Sequence, residues 1–181
     1  MAKQEKDVQA QEINVEEPKI MVDVPKERLD ALIRHHVWGA MAVGLIPLPL
    51  VDFVAVTGVQ INLLRKLSKE YHVRFFKHTA QNILSSLVGS AAPAFASVPL
   101  AASLVKAIPV VGVTAGVVTM PILNGAATYA LGKVFVQHFA SGGTFLSFNP
   151  DNVKAYYAEM LKEGQKVAAD MKAEPAGAAK A

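Results

Sequence analysis

Two long segments without a charged side chain constrain this sequence more than any other feature. Residues 79–105 and 107–132 contain no Asp, Glu, Lys or Arg, and only Lys106 separates them. Each is longer than the ~20 residues that a helix needs to cross a bilayer core. A helix of that length on the surface of a water-soluble domain normally keeps a charged face. The pattern therefore predicts two apolar helices that lie either in lipid or in the core of a helical bundle.

Proline-containing turns indicate how the helices follow one another. In residues 44–52, GLIPLPLVD, the first proline ends a helix, because the residue before a proline is pushed out of the α region. The second proline suits the first position of the next helix, and the aspartate lies in its first turn, where a negative charge complements the exposed N–H groups. A similar Ile-Pro pair follows the first charge-free segment. The residues assigned to the two turns are Pro47, Pro49, Asp52, Lys106 and Pro109.

The predicted fold class is all-α, with two apolar helical hairpins and an amphipathic C-terminal helix, since no alternating strand pattern of useful length occurs. The four hairpin helices are expected at about residues 25–45, 49–71, 79–105 and 107–132. The expected organisation is a disordered charged arm (1–24), a helical-hairpin domain (25–143), a surface helix (144–172) and a disordered tail (173–181). Asn149 and Pro150 are a good start for that surface helix.

Small residues recur at helical spacing in both charge-free segments. Such residues let helix backbones approach closely, within one chain or between copies of it. The spacing therefore predicts helix packing and self-association into a homo-oligomer. The residues assigned to packing are Ser85, Gly89, Ser97, Ala101, Gly112 and Gly116, of which the last two form a GxxxG.

Positive charge is concentrated in residues 65–78, which carry five bases and one acid. On a membrane protein such a cluster marks the cytoplasmic side, so it is expected to meet anionic lipid headgroups. Nucleic acid is not an expected partner, because the cluster is short and no zinc spacing or recognition motif accompanies it. The first twenty residues are charged throughout and predict no cleavable signal. The basic residues are Arg65, Lys66, Lys69, Arg74 and Lys77.

Catalytic and metal-binding patterns are weak in this sequence. It has no cysteine, its five histidines lack metal-ligand spacing, and it contains no phosphate-binding glycine loop. We therefore expect no catalytic residue, no metal and no cofactor. His36 is expected to be a packed residue, and Gln60 and Asn124 are expected to hydrogen-bond across the bundle.

The segment GLIPLPLVD, followed by Gln60 and Tyr71 and then by residues 108–112, 128–132 and Phe139, resembles the bacterial domain-of-unknown-function family 697. The resemblance covers about residues 28–143. It implies a helical, membrane-linked accessory region with no assigned activity. Members often occur with GTPase domains; since this chain has no nucleotide-binding module, a GTPase partner would have to act in trans. The usual glycine after the tyrosine is His72 here.

These patterns together predict a non-enzymatic, membrane-associated protein with a structural or interaction role, at a bacterial inner or intracellular membrane and with cytoplasmic termini. Two alternatives remain open. One is a soluble all-helical adaptor whose central helices are buried by the outer ones. The other is a helical pore, which is less favoured because few polar residues line any one face.

Overall fold

The computed structural model describes residues 22–45, 49–96 and 112–173, and within these it describes side chains for 22–45, 54–87, 89 and 120–173. All regular structure in these ranges is helical, which confirms the predicted all-α fold class. The helices are α1 (Lys26–Val43), α2 (Pro49–Glu70), α3 (Lys77–Ala96), α4 (Gly112–Ala140) and α5 (Pro150–Ala173).

Helix starts agree well with the sequence patterns. α2 begins at Pro49 and α5 begins at Pro150, each with a proline at the first helical position, where its missing N–H costs nothing. The side-chain oxygen of Asn149 accepts a hydrogen bond from the backbone N–H of Asp151 at 2.9 Å. This bond satisfies one of the free N–H groups at the start of α5.

The predicted end of α4 is wrong. The sequence suggested that this helix stops at Gly132, before the next charge, but it continues to Ala140. The extra turns bury Val134, Phe135 and Phe139 in the core. Lys133 does not end the helix, because its ammonium group contacts the carboxylate of Asp30 in α1 at the edge of the core and is not buried inside it.

α1 and α2 form an antiparallel pair. Arg28 at the start of α1 contacts Glu70 at the end of α2, and the ring of Tyr71, just after α2, lies 5.9 Å from the ring of Phe139 in the last turn of α4. These residues define one end of the bundle, which we call the charged end. At the opposite end, called the apolar end, a Cβ added to Gly44 would lie 3.0 Å from the backbone of Pro121 in α4.

α4 is the central helix of the bundle. Residues 125–132 are all buried, as are Val134 and Phe135, so this part of the helix has no solvent-exposed face. α1, α2 and α5 pack around it. A helix that is apolar on all sides is stable when it is surrounded by protein. For this stretch of the second charge-free segment, the surroundings are therefore the protein's own helices.

Three glycines allow the helices around α4 to approach closely. A Cβ on Gly125 would come within 2.8 Å of Met41, and one on Gly132 within 2.8 Å of Ile33, both in α1. Gly164 in α5 lies against the backbone of Ala126, where a Cβ would be 2.8 Å from the carbonyl oxygen. Gly125 and Gly132 of α4 and Gly164 of α5 are therefore sites at which the described helices pack closely.

α5 has the amphipathic pattern that the sequence predicted. Tyr157, Met160 and Leu161 are buried, whereas the lysines and glutamates on its other side are exposed. The helix packs against α4 and α3 and makes little contact with α1. Its buried face contributes to the same hydrophobic core as the hairpin helices.

The connection between α4 and α5 is held by aromatic packing at the charged end. Phe135 stacks on Phe148 with ring centroids 4.7 Å apart, and Phe145 packs edge-on against Phe75 from the α2–α3 loop. The imidazole Nε2 of His138 lies 2.9 Å from the carbonyl oxygen of Thr144. These contacts place the α2–α3 loop and the α4–α5 turn side by side.

α2 ends in a Schellman motif at His72. His72 has φ of 55°, in the left-handed region that favours glycine. The N–H of Val73 donates to the carbonyl of Ser68 at 2.8 Å, and the N–H of His72 donates to that of Lys69 at 3.2 Å. A glycine at this position would avoid the backbone strain that His72 carries at the end of the helix.

We expect His72→Gly to stabilise the protein by about 1 kcal/mol, because a non-glycine residue in the left-handed region costs about 1–2 kcal/mol. The free energy of unfolding is measured by chemical denaturation followed by circular dichroism. His78→Gly, in the first turn of α3, is the control and is expected to be destabilising. Equal effects of the two changes would contradict the assignment of strain to His72.

We expect Gly164→Ala to lower the free energy of unfolding by about 1–3 kcal/mol, because the added methyl meets backbone atoms of α4 that cannot move aside. The matched control is Gly58→Ala, also in a helix interior, where an added Cβ meets nothing within 4 Å. That change is expected to stabilise by about 0.5–1 kcal/mol. If both variants were stabilised alike, the proposed α4–α5 contact would be wrong.

Candidate membrane-contact surface

The outer face of the α1–α2 hairpin is the surface with the most uneven distribution of charge. One exposed stripe runs along α2, with residues spaced three or four apart so that they share a helix face. The stripe is apolar near the start of the helix and basic near its end. Its members are Val54, Gly58, Asn62, Arg65 and Lys69.

The apolar part of this surface carries large exposed side chains. Four large hydrophobic residues are strongly exposed in the described chain, and three of them lie at the apolar end: Leu45 (58% exposed), Val54 (71%) and Met120 (50%). α1 has no Asp, Glu, Lys or Arg after Arg34, and α2 has none between Asp52 and Arg65. Val54 lies eleven residues before Arg65 on α2, and Leu45, just after α1, lies eleven residues after Arg34. We call this exposed hydrophobic group, with the apolar half of the α2 stripe, the hairpin tip.

The five predicted headgroup residues lie in the last turns of α2, in the α2–α3 loop and at the first residue of α3. We call this set of residues the basic block. Arg65, Lys69, Arg74 and Lys77 are exposed, and Lys66 is partly buried. Within the described residues, none of the five makes an ion pair. The guanidinium of Arg74 lies 5.2 Å from the ring centroid of Phe76. The block therefore presents almost uncompensated positive charge.

The single acid within residues 65–78, Glu70, forms an ion pair with a base outside the basic block. Both carboxylate oxygens of Glu70 are engaged by Arg28, with Nε at 2.9 Å and Nη2 at 3.0 Å. A two-point contact of this kind has favourable geometry. Glu70 consequently does little to reduce the positive potential of its neighbours.

The remaining turn residues are placed only in part. Pro49 and Asp52 lie in the first turn of α2, but the side chains of this turn are outside the described set. Pro47 lies outside the described residues, as do Lys106 and Pro109 in the segment 97–111. Their roles in the two turns stay predictions.

The residues assigned to helix packing also stay predictions. Ser85 and Gly89 are exposed on α3, and an added Cβ at Gly89 would meet nothing within 4 Å. Ser97 and Ala101 lie outside the described residues. Gly112 and Gly116 lie in the first turns of α4, where no side chains are described.

The polar residues predicted on apolar helix faces form internal hydrogen bonds. His36 is 3% exposed; its Nδ1 lies 2.7 Å from the carbonyl oxygen of Leu32 and its Nε2 lies 3.3 Å from the amide nitrogen of Asn62. Gln60 donates to the hydroxyl of Thr128 across the α2–α4 interface at 3.3 Å. His36 and Gln60 are therefore packed groups, as expected. No cluster of three metal-ligating side chains occurs among the residues that the structure describes.

A second polar group, which the sequence did not reveal, joins α1, α4 and α5. Lys133 contacts Asp30 at 2.7 Å, and its ammonium lies 5.4 Å from the ring centroid of Tyr129. The Tyr129 hydroxyl donates to Glu163 at 2.7 Å. The pKa of Tyr129 is raised far above its usual value, first by burial and then by the Glu163 carboxylate. The partners are too far apart in sequence for any helical spacing to indicate these pairs.

The described helices do not include a membrane span. In the parts of the chain that the structure describes, none of the helices combines the length and the hydropathy that crossing a bilayer requires.

The fold defines an all-α bundle with a buried central helix and no recognisable catalytic centre among the described residues. Residues 8–166 match the family described as Domain of unknown function (DUF697), and the chain belongs to this family. Over 148 residues it is 36% identical to Magnetosome membrane protein 22 of Magnetospirillum gryphiswaldense, an alignment that covers 82% of this chain and 76% of that protein. No solved structure matches.

We expect the stability of the protein to fall as the pH drops below 6.5 because of His36. Burial lowers the pKa of this imidazole, and the nearby Lys66 and His35 lower it further. Between 6.5 and the lower folded-state pKa, the unfolded chain binds more protons than the folded one, so acidification lowers the free energy of unfolding.

Thermal unfolding between pH 7 and pH 5 measures this dependence. His36→Gln should show a shallower loss of stability over this range, whereas His78→Gln, at an exposed position, should behave like the original protein. An identical pH profile for all three proteins would contradict the role of His36.

Proposed function

We propose that this protein is a non-enzymatic, membrane-associated structural element that contacts the membrane through the outer face of its α1–α2 hairpin. The observation that carries the proposal is the arrangement of that face, in which the hairpin tip exposes Leu45, Val54 and Met120 and two members of the basic block, Arg65 and Lys69, follow along the same stripe of α2. The name of the related magnetosome membrane protein supports the membrane association.

The apolar tip supplies a driving force for membrane contact. Moving apolar surface from water into hydrocarbon is favourable by roughly 25 cal/mol per Å², or about 1.5–3 kcal/mol for a fully buried leucine or valine side chain. Exposed apolar patches rimmed by polar residues are typical of interaction surfaces. In this interpretation the tip enters the membrane and the bundle core remains as described.

The basic block supplies the second contribution. Lys and Arg side chains near an anionic membrane surface contribute about 1 kcal/mol each. Arg65 lies eleven residues after Val54 on α2, which corresponds to a rise of about 16 Å along a helix. A hairpin tilted into the headgroup region can therefore bury the tip while Arg65 and Lys69 reach lipid phosphates.

The proposed insertion is shallow. Asp52 lies in the first turn of α2, close to the tip, and a charged side chain at the bilayer centre costs about 2.5–3.5 kcal/mol. Interfacial helices bury their apolar face by about 5–10 Å at the boundary between headgroups and acyl chains. At that depth Asp52 keeps access to water and to the positive end of the helix dipole.

The outer face of α5 is unsuitable for hydrocarbon contact. Exposed charges occur along its whole length, from Lys154 near its start to Lys172 in its last turn. α5 packs on α4 and α3 and is not among the helices that contact α2 substantially. The described outer surfaces of α5 and of the hairpin thus have different chemistry, and of these two it is the hairpin surface that fits a membrane.

We propose no catalytic role. The buried histidine, His36, is held by internal hydrogen bonds, and the family has no assigned activity. Self-association through the small residues of α3 and α4 stays a prediction, as does a GTPase partner acting in trans. The bacterial inner or intracellular membrane and cytoplasmic termini are likewise the proposed location and topology.

Binding to lipid vesicles tests the tip. We expect the double variant Leu45→Gln/Val54→Gln to bind vesicles of phosphatidylcholine and phosphatidylglycerol at least tenfold more weakly, a loss of about 1.4 kcal/mol or more. The matched control is Leu146→Gln, which changes another leucine that is 73% exposed but lies at the charged end. This control should bind like the original protein. Undiminished binding by the double variant would show that the hairpin tip is not the contact.

The basic block is tested with the same vesicles at varied lipid charge. Arg65→Glu/Lys69→Glu should weaken binding to vesicles containing phosphatidylglycerol at least tenfold and leave binding to neutral vesicles almost unchanged, because its contribution is electrostatic. Loss of binding that is equal for both vesicle types would contradict a headgroup role. Circular dichroism of each variant checks that the helices are retained.

A further inference from the structure

The chain segment that precedes α1 joins the bundle beside the basic block. Val22 and Val24 pack against the hydrophobic core, and the negative charge of Asp23 acts on the phenol of Tyr71. Tyr71 lies between Lys69 and Arg74 in the sequence, within three residues of each, which limits the separation of their Cα atoms to about 11 Å. The first 21 residues therefore connect to the described structure close to Lys69 and Arg74 of the basic block.

The charge of those residues is complementary to the block. Residues 7–17, DVQAQEINVEE, contain four acids and no base. Three glutamates fall within residues 12–17, together with Ile13 and Val15, which alternate with polar residues. The basic block, by contrast, carries five bases whose single internal acid is engaged by Arg28.

We propose that the acidic segment of residues 12–17 docks onto the basic block of the same chain, at Lys69, Arg74 and Lys77. The contact is an intramolecular mask that competes with anionic lipid for these side chains. The part of the proposal that concerns lipid rests on the proposed function, whereas the docking itself does not.

The segment is long enough to reach its site. Glu17 is five residues from Val22, and Glu12 is ten, so at about 3.3–3.6 Å per residue they reach at most about 18 Å and 36 Å from Val22. Because the segment is covalently connected to the bundle over this short distance, its effective concentration at the block is higher than that of a separate molecule. A contact that is weak between separate molecules is then populated within one chain.

The block is accessible to such a segment. Lys69, Arg74 and Lys77 are exposed, and none of them is held in an ion pair with another described residue. The ring of Phe76, beside the Arg74 guanidinium, is only partly buried and offers apolar surface next to the charges. Ile13 and Val15 are the residues of the acidic segment suited to that surface.

Zero-length cross-linking with a carbodiimide tests the docking on the purified full chain without any membrane. The reagent joins carboxylates to amines that are in contact, and the products are identified by mass spectrometry. We expect the glutamates of residues 12–17 to link to Lys69 and Lys77 at least fivefold more often than to Lys162 and Lys166, which are exposed on α5. About 1 M salt should suppress these links, because the screening length then falls to about 3 Å.

Two controls make this result decisive. In a mixture of isotopically light and heavy chains, the links should join residues of the same mass label; links between labels would overturn the proposal and indicate contact with a second copy. The variant Lys69→Gln/Lys77→Gln should not redirect the links to α5. An even spread of links over all exposed lysines would also overturn it.

Removal of residues 1–21 tests the competition with lipid. We expect the shortened chain to bind vesicles containing phosphatidylglycerol at least threefold more tightly than the full chain, and the variant Glu12→Gln/Glu16→Gln/Glu17→Gln to behave in the same way. Binding to neutral vesicles should not change. Preferential cross-links without tighter vesicle binding would overturn the masking role alone, so that this failure can be told apart from a failure of the docking.

Discussion

The enclosure of α4 by its neighbours is the constraint on which the rest of the structure depends. A helix without charges over this length has to be surrounded by apolar material on every side. α1 covers it closely because Gly125 and Gly132 leave room for Met41 and Ile33, and α5 covers it because Gly164 admits the backbone of Ala126. With those faces occupied, the charged side chains of α1 and α5 are directed outward, and the two outer surfaces of the bundle follow from the packing of its centre.

The polar contacts reinforce this arrangement at its margins. Lys133 breaks the charge-free run of α4 and would be costly inside the core, but it emerges where Asp30 of α1 can accept it. Tyr129 is buried except for a hydroxyl that reaches Glu163 of α5. These two pairs connect α1, α4 and α5 at the edge of the core, where it meets solvent. Because they require all three helices at once, they favour one relative position of α1 and α5 around α4.

Local signals in the sequence predicted the helices and most of their starts, because proline placement and capping act within one turn. Pro49 and Pro150 are such cases. The end of α4 was not predictable in this way, since it depends on aromatic residues from a later turn. Phe148 stacks on Phe135, and this contact stabilises the helical turns that follow Lys133. The Tyr129–Glu163 and Lys133–Asp30 pairs were missed for a similar reason. Long-range pairs leave no periodic signal in a single sequence.

The sequence could not decide between lipid and protein as the surroundings of a charge-free helix, because both environments select the same side chains. Whether lipid or protein surrounds such a helix is decided by the other helices of the chain. α5 has an apolar face that packs on α4, and residues 125–132, 134 and 135 of α4 are buried in the bundle. The exposed apolar surface lies instead at the tip of α1 and α2, where Leu45 and Val54 are not covered by any described helix. The proposed membrane contact therefore rests on side chains that remain exposed after packing, such as Val54, and the overall apolar content of a helix is a weaker guide.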